Sequence, residues 1–78
     1  MFYVYALRST TARYIYVGIT SDVERRLSEH NSGYERTTKP YRPFELIYVE
    51  PQPTRQAARK REKYFKSGVG KEFLKSIE

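Results

Sequence analysis

Phe2-Tyr3-Val4-Tyr5-Ala6-Leu7 and Arg13-Tyr14-Ile15-Tyr16-Val17-Gly18 are two runs of alternating aromatic and aliphatic residues, separated by the polar stretch Arg8-Ser9-Thr10-Thr11-Ala12. A period of two over six residues, with β-branched and aromatic side chains, predicts two strands joined as a hairpin. Side chains alternate between faces, so Phe2, Val4 and Ala6 share one side, with Leu7 closing the strand, and Tyr3 and Tyr5 share the other. Tyr14 and Tyr16 repeat the pattern. If the register pairs like with like, four tyrosines pave one face and Ile15 and Val17 join the apolar one.

Ser21-Asp22-Val23-Glu24 has the S-x-x-E form of a capping box, so a helix is expected from Asp22 to about Asn31. Val23 and Leu27 mark its buried stripe. Arg26 and His30, also one turn apart, border that stripe, and Arg25 points nearly opposite. Residues 32–43 contain two prolines, a glycine and no usable period, which reads as a long loop carrying Arg36, Lys39 and Arg42. Phe44 to Glu50 makes a third strand, ended by Pro51 and Pro53. Thr54 caps a second helix reaching Ser67, with Gly68 as its stop, and Gly70 to Ile77 forms a short last helix. The expected fold is α+β, a three-stranded antiparallel sheet flanked by helices in the order β-β-α-β-α-α, within a single domain spanning residues 1–78.

The chain has 78 residues, 38% of them hydrophobic and 31% charged, and no cysteine. That size excludes Rossmann domains, barrels and P-loop enzymes, which need more chain for a core and a cofactor cavity together. Lack of cysteine excludes a disulfide framework, an iron–sulfur cluster and a structural zinc, and suits a reduced, cytoplasmic setting. No stretch approaches a membrane span or a leader peptide, so no membrane partner is expected. Fifteen Lys and Arg against nine Asp and Glu give a net charge of +6, which points to polyanions. Solubility alone would also account for such a charge.

The second helix carries Arg55, Arg59, Lys60, Arg61, Lys63 and Lys66, and between Glu50 and Glu72 its only acid is Glu62. Ala58, Glu62 and Phe65 are spaced i, i+4 and i+7, which sets Glu62 at the edge of the face that meets the sheet. A carboxylate there wants either a lysine one turn away or a divalent cation. Arg59, Lys63 and Lys66, with Arg36, Lys39 and Arg42 of the loop, are the candidates for following a phosphate backbone.

Taken in order, Tyr3-Val4-Tyr5, Tyr16-Val17-Gly18, Arg26, His30 and Glu62 resemble the GIY-YIG nuclease family, in particular its small single-domain members. Tyr-Val-Tyr stands where the family name has Gly-Ile-Tyr. The resemblance runs from Phe2 to about Leu74 and implies a metal-dependent endonuclease that hydrolyses DNA phosphodiester bonds. It implies Tyr5, Tyr16, Arg26, His30 and Glu62 as catalytic residues, with Glu62 holding Mg2+ or Mn2+. A hard carboxylate oxygen suits a magnesium ion that keeps most of its waters, and the arginine fork suits a phosphate on which charge builds. Tyr5, with an ordinary pKa near 10, needs that cation and Arg26 to become a base. Tyr16 would orient water or hold the phosphate, and His30 would relay a proton or position a neighbour.

Many relatives in that family carry an asparagine late in the domain and an added DNA-binding domain, and the sequence shows neither. Target choice, including any for particular DNA structures in repair or recombination, would then rest on the basic surface, a homodimer or a protein partner. Two other readings stay open. Tyr14 to Gly18 also resembles an aromatic strand motif of RNA-recognition domains, which would make the chain a nucleic-acid-binding module without catalysis and RNA a second candidate partner. A catalytic subunit that needs a partner protein is the other.

Overall fold

The computed structural model describes residues 1–77. Its element order is β1 (Phe2–Ser9), β2 (Ile15–Thr20), α1 (Val23–Ser32), a single 3-10 turn (Lys39–Tyr41), β3 (Phe44–Gln52), α2 (Arg55–Lys66) and α3 (Gly68–Lys75). The strands form one antiparallel sheet in the order β2-β1-β3, as the alternation predicts. β1 is central and is covered on both faces.

One face carries Val4, Ala6 and Val17, which pack with Ala58 and Phe65 of α2 and Leu74 of α3. The other carries Tyr5 and Leu7, which pack with Phe44, Tyr16 and the Val23–Leu27 stripe of α1. The sheet is therefore the middle layer, with α1 above it and α2 and α3 below. Leu7 belongs to the tyrosine face, as strict alternation requires, and not to the Phe2 side. Like pairs with like across the hairpin. Tyr5 stands opposite Gly18 and Leu7 opposite Tyr16.

Three boundaries differ from expectation. β3 continues through Pro51, which pairs with Tyr3. β3 is an edge strand, and an amide facing away from the only neighbour is one a proline can do without. β2 starts at Ile15 because the link is organised by Ser9, whose Oγ accepts from the amides of Thr11 (3.2 Å) and Ala12 (3.0 Å). Gly68 opens α3 and does not stop α2; Ser67 serves both helices as cap. Gly70 lets α3 close on α2, since a Cβ there would collide with the Tyr64 carbonyl oxygen and the Phe65 Cα.

Two contacts hold α1 and the following segment to the sheet. Asn31 Oδ1 accepts from the Phe44 amide at 2.6 Å while its Nδ2 donates to the Phe44 carbonyl at 3.2 Å. Ser9 Oγ donates to the Tyr41 carbonyl at 2.6 Å, and the Tyr41 ring stacks on Tyr14 at 4.0 Å. The segment read as a long loop is thus pinned at both ends. Among the described residues no helix is long and apolar enough to cross a membrane.

Candidate active site

Asp22 caps α1 by accepting from the Arg25 amide, and Gly33 ends the helix with a left-handed φ of 83°. Between those caps the helical period delivers Arg26 and His30 to the tyrosine face. His30 is fully buried, deeper than the rim position expected for it. The Tyr5 hydroxyl lies 3.1 Å from His30 Nε2, and His30 Nδ1 lies 2.9 Å from Thr38 Oγ1. Thr38 Oγ1 in turn donates to the Glu35 carbonyl at 3.4 Å.

These contacts decide the tautomer. Arg26 Nη2, which can only donate, lies 3.5 Å from His30 Nε2. Nε2 is accordingly the lone-pair nitrogen, accepting from the Tyr5 hydroxyl, and Nδ1–H donates to Thr38. Burial, followed by the positive charge of Arg26, pulls the His30 pKa below its ordinary value, so the ring is neutral at neutral pH.

Tyr5 is 1% exposed. Burial pushes its pKa up to about 12, outweighing the downward pull of Arg26. The nearby Tyr16 hydroxyl adds to the rise. Arg26 therefore does not make Tyr5 acidic by itself, which leaves the expected joint action of Arg26 and a cation as the requirement. The Tyr5 ring can sit there because Gly18 faces it: a Cβ at Gly18 would lie 2.7 Å from Tyr5 Oη and 3.0 Å from Tyr16 Cε2. Tyr16 leans over His30, the ring centres 4.7 Å apart.

Arg26 stays charged. Burial opposes its charge, but Tyr5, Glu29 and Glu35 more than offset that and raise its pKa. Nη1 donates to Glu29 Oε1 at 2.7 Å and Nη2 to Glu35 Oε1 at 3.1 Å. Its side chain is 22% exposed against 71% for Arg25, as the helical period predicts. Each terminal nitrogen of the fork thus already has a carboxylate, so an anion would meet Arg26 in exchange for one of them.

The structure brings Tyr5, Tyr16, Arg26 and His30 into this one cluster. Glu62 stands apart from it, on α2 in the layer across the sheet, 15% exposed with Lys66 Nζ 3.3 Å from its Oε2. α2 packs on β2, the edge strand that carries Tyr16 and Gly18. Among the described residues no three His, Cys, Asp or Glu side chains converge on one point. A single carboxylate nevertheless suits magnesium, which is commonly held by one or two carboxylates, several waters and the phosphate of a substrate.

The basic candidates fall into two groups. Arg36, Lys39 and Arg42 are exposed on the segment that carries Thr38, with Arg42 Nη1 lying over Gly33. Arg59 and Lys63 line a shallow depression of about 250 Å³ on α2 with Arg55 and Lys60. Lys66 is occupied with Glu62. Sequence reading did not single out Thr38, Glu29 or Glu35. Glu29 had a signal in its i, i+3 spacing from Arg26, whereas Thr38 and Glu35 are joined to the site only by the path of the loop.

A small α+β sheet with paired strand tyrosines, a helix arginine and a histidine beneath it defines a class of nuclease domain. The chain matches the GIY-YIG catalytic domain over residues 1–75 and belongs to that family of nucleases, whose members act on nucleic acid and generally use divalent metals. It is 41% identical over 66 residues to a UPF0213 protein of Haloquadratum walsbyi, covering 83% of this chain and 73% of that one. A UPF0213 protein of Staphylococcus saprophyticus is 34% identical over 76 residues, covering 96% and 92%. The solution NMR structure of a UPF0213 protein from Bacillus halodurans shares the fold with a TM-score of 0.56 and 35% identity, over 97% of this chain and 84% of that one.

Proposed function

We propose that residues 1–78 act as one catalytic domain that hydrolyses phosphodiester bonds of DNA in the presence of a divalent cation. The observation that carries this reading is the buried relay Tyr5–His30–Thr38 with the Arg26 fork beside it. A core histidine serving packing alone does not require a lone pair aimed at a tyrosine hydroxyl and a cation at its edge.

The scissile phosphate lies at the β2 edge, where Arg26 donates to its non-bridging oxygens in place of one of its carboxylate partners. Water adds to phosphorus as the bond to the leaving oxygen breaks, and that oxygen takes up a proton from solvent to leave as the alcohol. The proton of that water passes to the Tyr5 oxygen while Tyr5 hands its own to His30 Nε2, leaving imidazolium. A phenol with a pKa of about 12 transfers a proton readily only when another group takes one from it at the same time, and neutral His30 is placed to do so. Thr38 keeps the ring in the required tautomer. Tyr16 orients the water over the His30 ring. Glu62 would hold Mg2+ or Mn2+ with waters and the phosphate itself, releasing Lys66; when bound, such an ion neutralises charge on the phosphate and leaving oxygens. The loop cations Arg36, Lys39 and Arg42 and the helix cations Arg59, Lys63 and Lys66 steer the backbone, with any preference for particular DNA structures, homodimer or partner protein built on that surface.

Labelled linear, single-stranded, flapped and branched DNA, incubated with magnesium, manganese or EDTA, tests the proposal. Cleavage by the parent only with metal, and its loss in folded Arg26→Ala and Glu62→Gln, is the expected result. Tight binding without cleavage under every condition would overturn it and leave a binding module.

A further inference from the structure

Toward the link between β1 and β2, on the α3 side of the sheet, lies an open cleft of about 610 Å³ lined by Arg8, Arg13, Tyr14, Ile15, Lys71 and Lys75. Four of its walls are cationic and none is acidic. The four come from three separate parts of the chain, and only the fold collects them. Lys71 and Lys75 are one turn apart on α3 and so face the same way.

These cations differ in how far they are already satisfied. Arg8 is fixed by Glu45, whose Oε1 accepts from Nε at 2.9 Å and Nη2 at 2.7 Å, and by the Ile77 carbonyl, which accepts from Nη1 at 2.7 Å. Lys75 has only Glu72 at 3.7 Å, with both side chains more than 60% exposed, a contact that water largely screens. Arg13 and Lys71 have no acidic partner among the described residues. The cleft therefore gathers positive charge that the protein itself does not balance.

We infer that this cleft is a second phosphate-binding site, which takes a stretch of nucleic-acid backbone away from the scissile phosphate. The inference rests on the nucleic-acid reading proposed above. Backbone, and not base, is the matching chemistry. Tyr14 is the one aromatic in the cleft, and one of its two faces is already covered by Tyr41 at 4.0 Å and an interplanar angle of 11°, which reduces what it can offer a base. Lysine and arginine donors around an open trough suit phosphate oxygens. Arg8 lies three residues along β1 from Tyr5, about 10 Å away, with its side chain on the other face of the sheet. One strand end at the Tyr5 cluster and another segment in the cleft thus grip the nucleic acid on two layers, an arrangement that suits a bent or branched substrate.

The test compares the full-length parent with Arg13→Ala/Lys71→Ala and with a control of equal charge change, Arg25→Ala/Lys60→Ala. Binding of a fluorescent DNA three-way junction is measured by anisotropy in EDTA between 50 and 200 mM salt. The cleft variant is expected to bind about tenfold more weakly at the middle of that range, and its slope of log K against log salt to flatten by about 2, beyond any change in the control. Amide NMR shifts at residues 13 and 71 should saturate with the junction at far lower concentration than with inorganic phosphate. Equal losses in cleft and control variants would mean that net charge alone acts, and would overturn the site. So would saturation by free phosphate as readily as by DNA. A parent that binds DNA while the cleft variant matches it refutes the cleft alone; a parent that binds no DNA refutes the nuclease reading as well.

Discussion

Replacing Gly18 by alanine should damage the Tyr5 relay from the far side of the hairpin, by an amount the structure sets. The new Cβ would lie 2.7 Å from Tyr5 Oη and 2.9 Å from Cζ, where ordinary contact begins at 3.4 Å. Something must retreat by about 0.7 Å. Tyr5 has nowhere to go: its ring is 1% exposed and its hydroxyl is held at 3.1 Å by His30. Overpacking of this kind costs about 1–3 kcal/mol, which lowers the melting temperature of a domain this size by about 4–24 °C. Misplacing the relay by such a distance should slow cleavage about a hundredfold. The assay is thermal unfolding of Gly18→Ala, Tyr5→Phe and the double variant, with cleavage of a saturating substrate alongside. Removing Oη deletes the closest clash, so the double variant should be more stable than the two single losses combined predict, by about 1 kcal/mol. Strict additivity, or an alanine variant as stable as the parent, would refute the claim that Gly18 exists to admit the Tyr5 ring.

Other predictions follow from the charged groups. The His30 pKa is depressed in the folded protein, so the unfolded chain takes up a proton first as pH falls. Stability contributed by neutral His30 is thus full above the unfolded value of about 6.5 and is lost as pH drops below it. Urea midpoints between pH 8 and 5 should fall in the parent and stay flat in His30→Gln; cleavage should likewise keep its acid limb below about 6.5. Glu50, bonded by both Arg61 Nε and Nη2 and by Tyr48, has its pKa held down to about 2. Its share of stability is present above about 4.5 and fades as pH falls toward 2, and Glu50→Ala should cost about 1–3 kcal/mol by chemical unfolding. Glu35→Gln removes one of the two carboxylates on Arg26, half-exposed at 42%, and should tighten DNA binding about two- to fivefold; an unchanged affinity would mean that Arg26 does not meet the phosphate.

The fold was open to sequence reading because its decisive signals are local. Two alternating runs and a threonine cap each specify an element within a few residues, and the resulting order is the one observed. The cap of α1, however, is Asp22, bonded to the Arg25 amide, and not Ser21 of the expected capping box. What went astray depended on neighbours. Whether Pro51 breaks a strand is decided by which side of β3 has a partner, and Gly68 could be a stop or a start until Ser67 is seen to cap both helices.

The site divides along the same line. Tyr5, Tyr16, Arg26 and His30 could be grouped beforehand because each position follows from a period, two in the strands and 3.6 in α1. The periods say nothing of depth, and depth is what changes the chemistry. A Tyr5 at the surface would titrate near 10 and would need only a nearby cation to act as a base; sealed under α1 its pKa rises to about 12, and the burden of accepting a proton moves to His30. The tautomer of neutral His30 in turn depends on Thr38, eight residues on in a loop without any period, so the residue that selects the tautomer is the one no local pattern marks. Glu62 poses the opposite case. Its helical position was readable, but pairing with Lys66 is what any isolated glutamate one turn from a lysine would do, and that pair neither requires a metal nor obstructs one. The proton relay and the cation site therefore fail independently: loss of Thr38 should alter the pH profile with metal response intact, and loss of Glu62 should abolish metal response while leaving the acid dependence of stability in place.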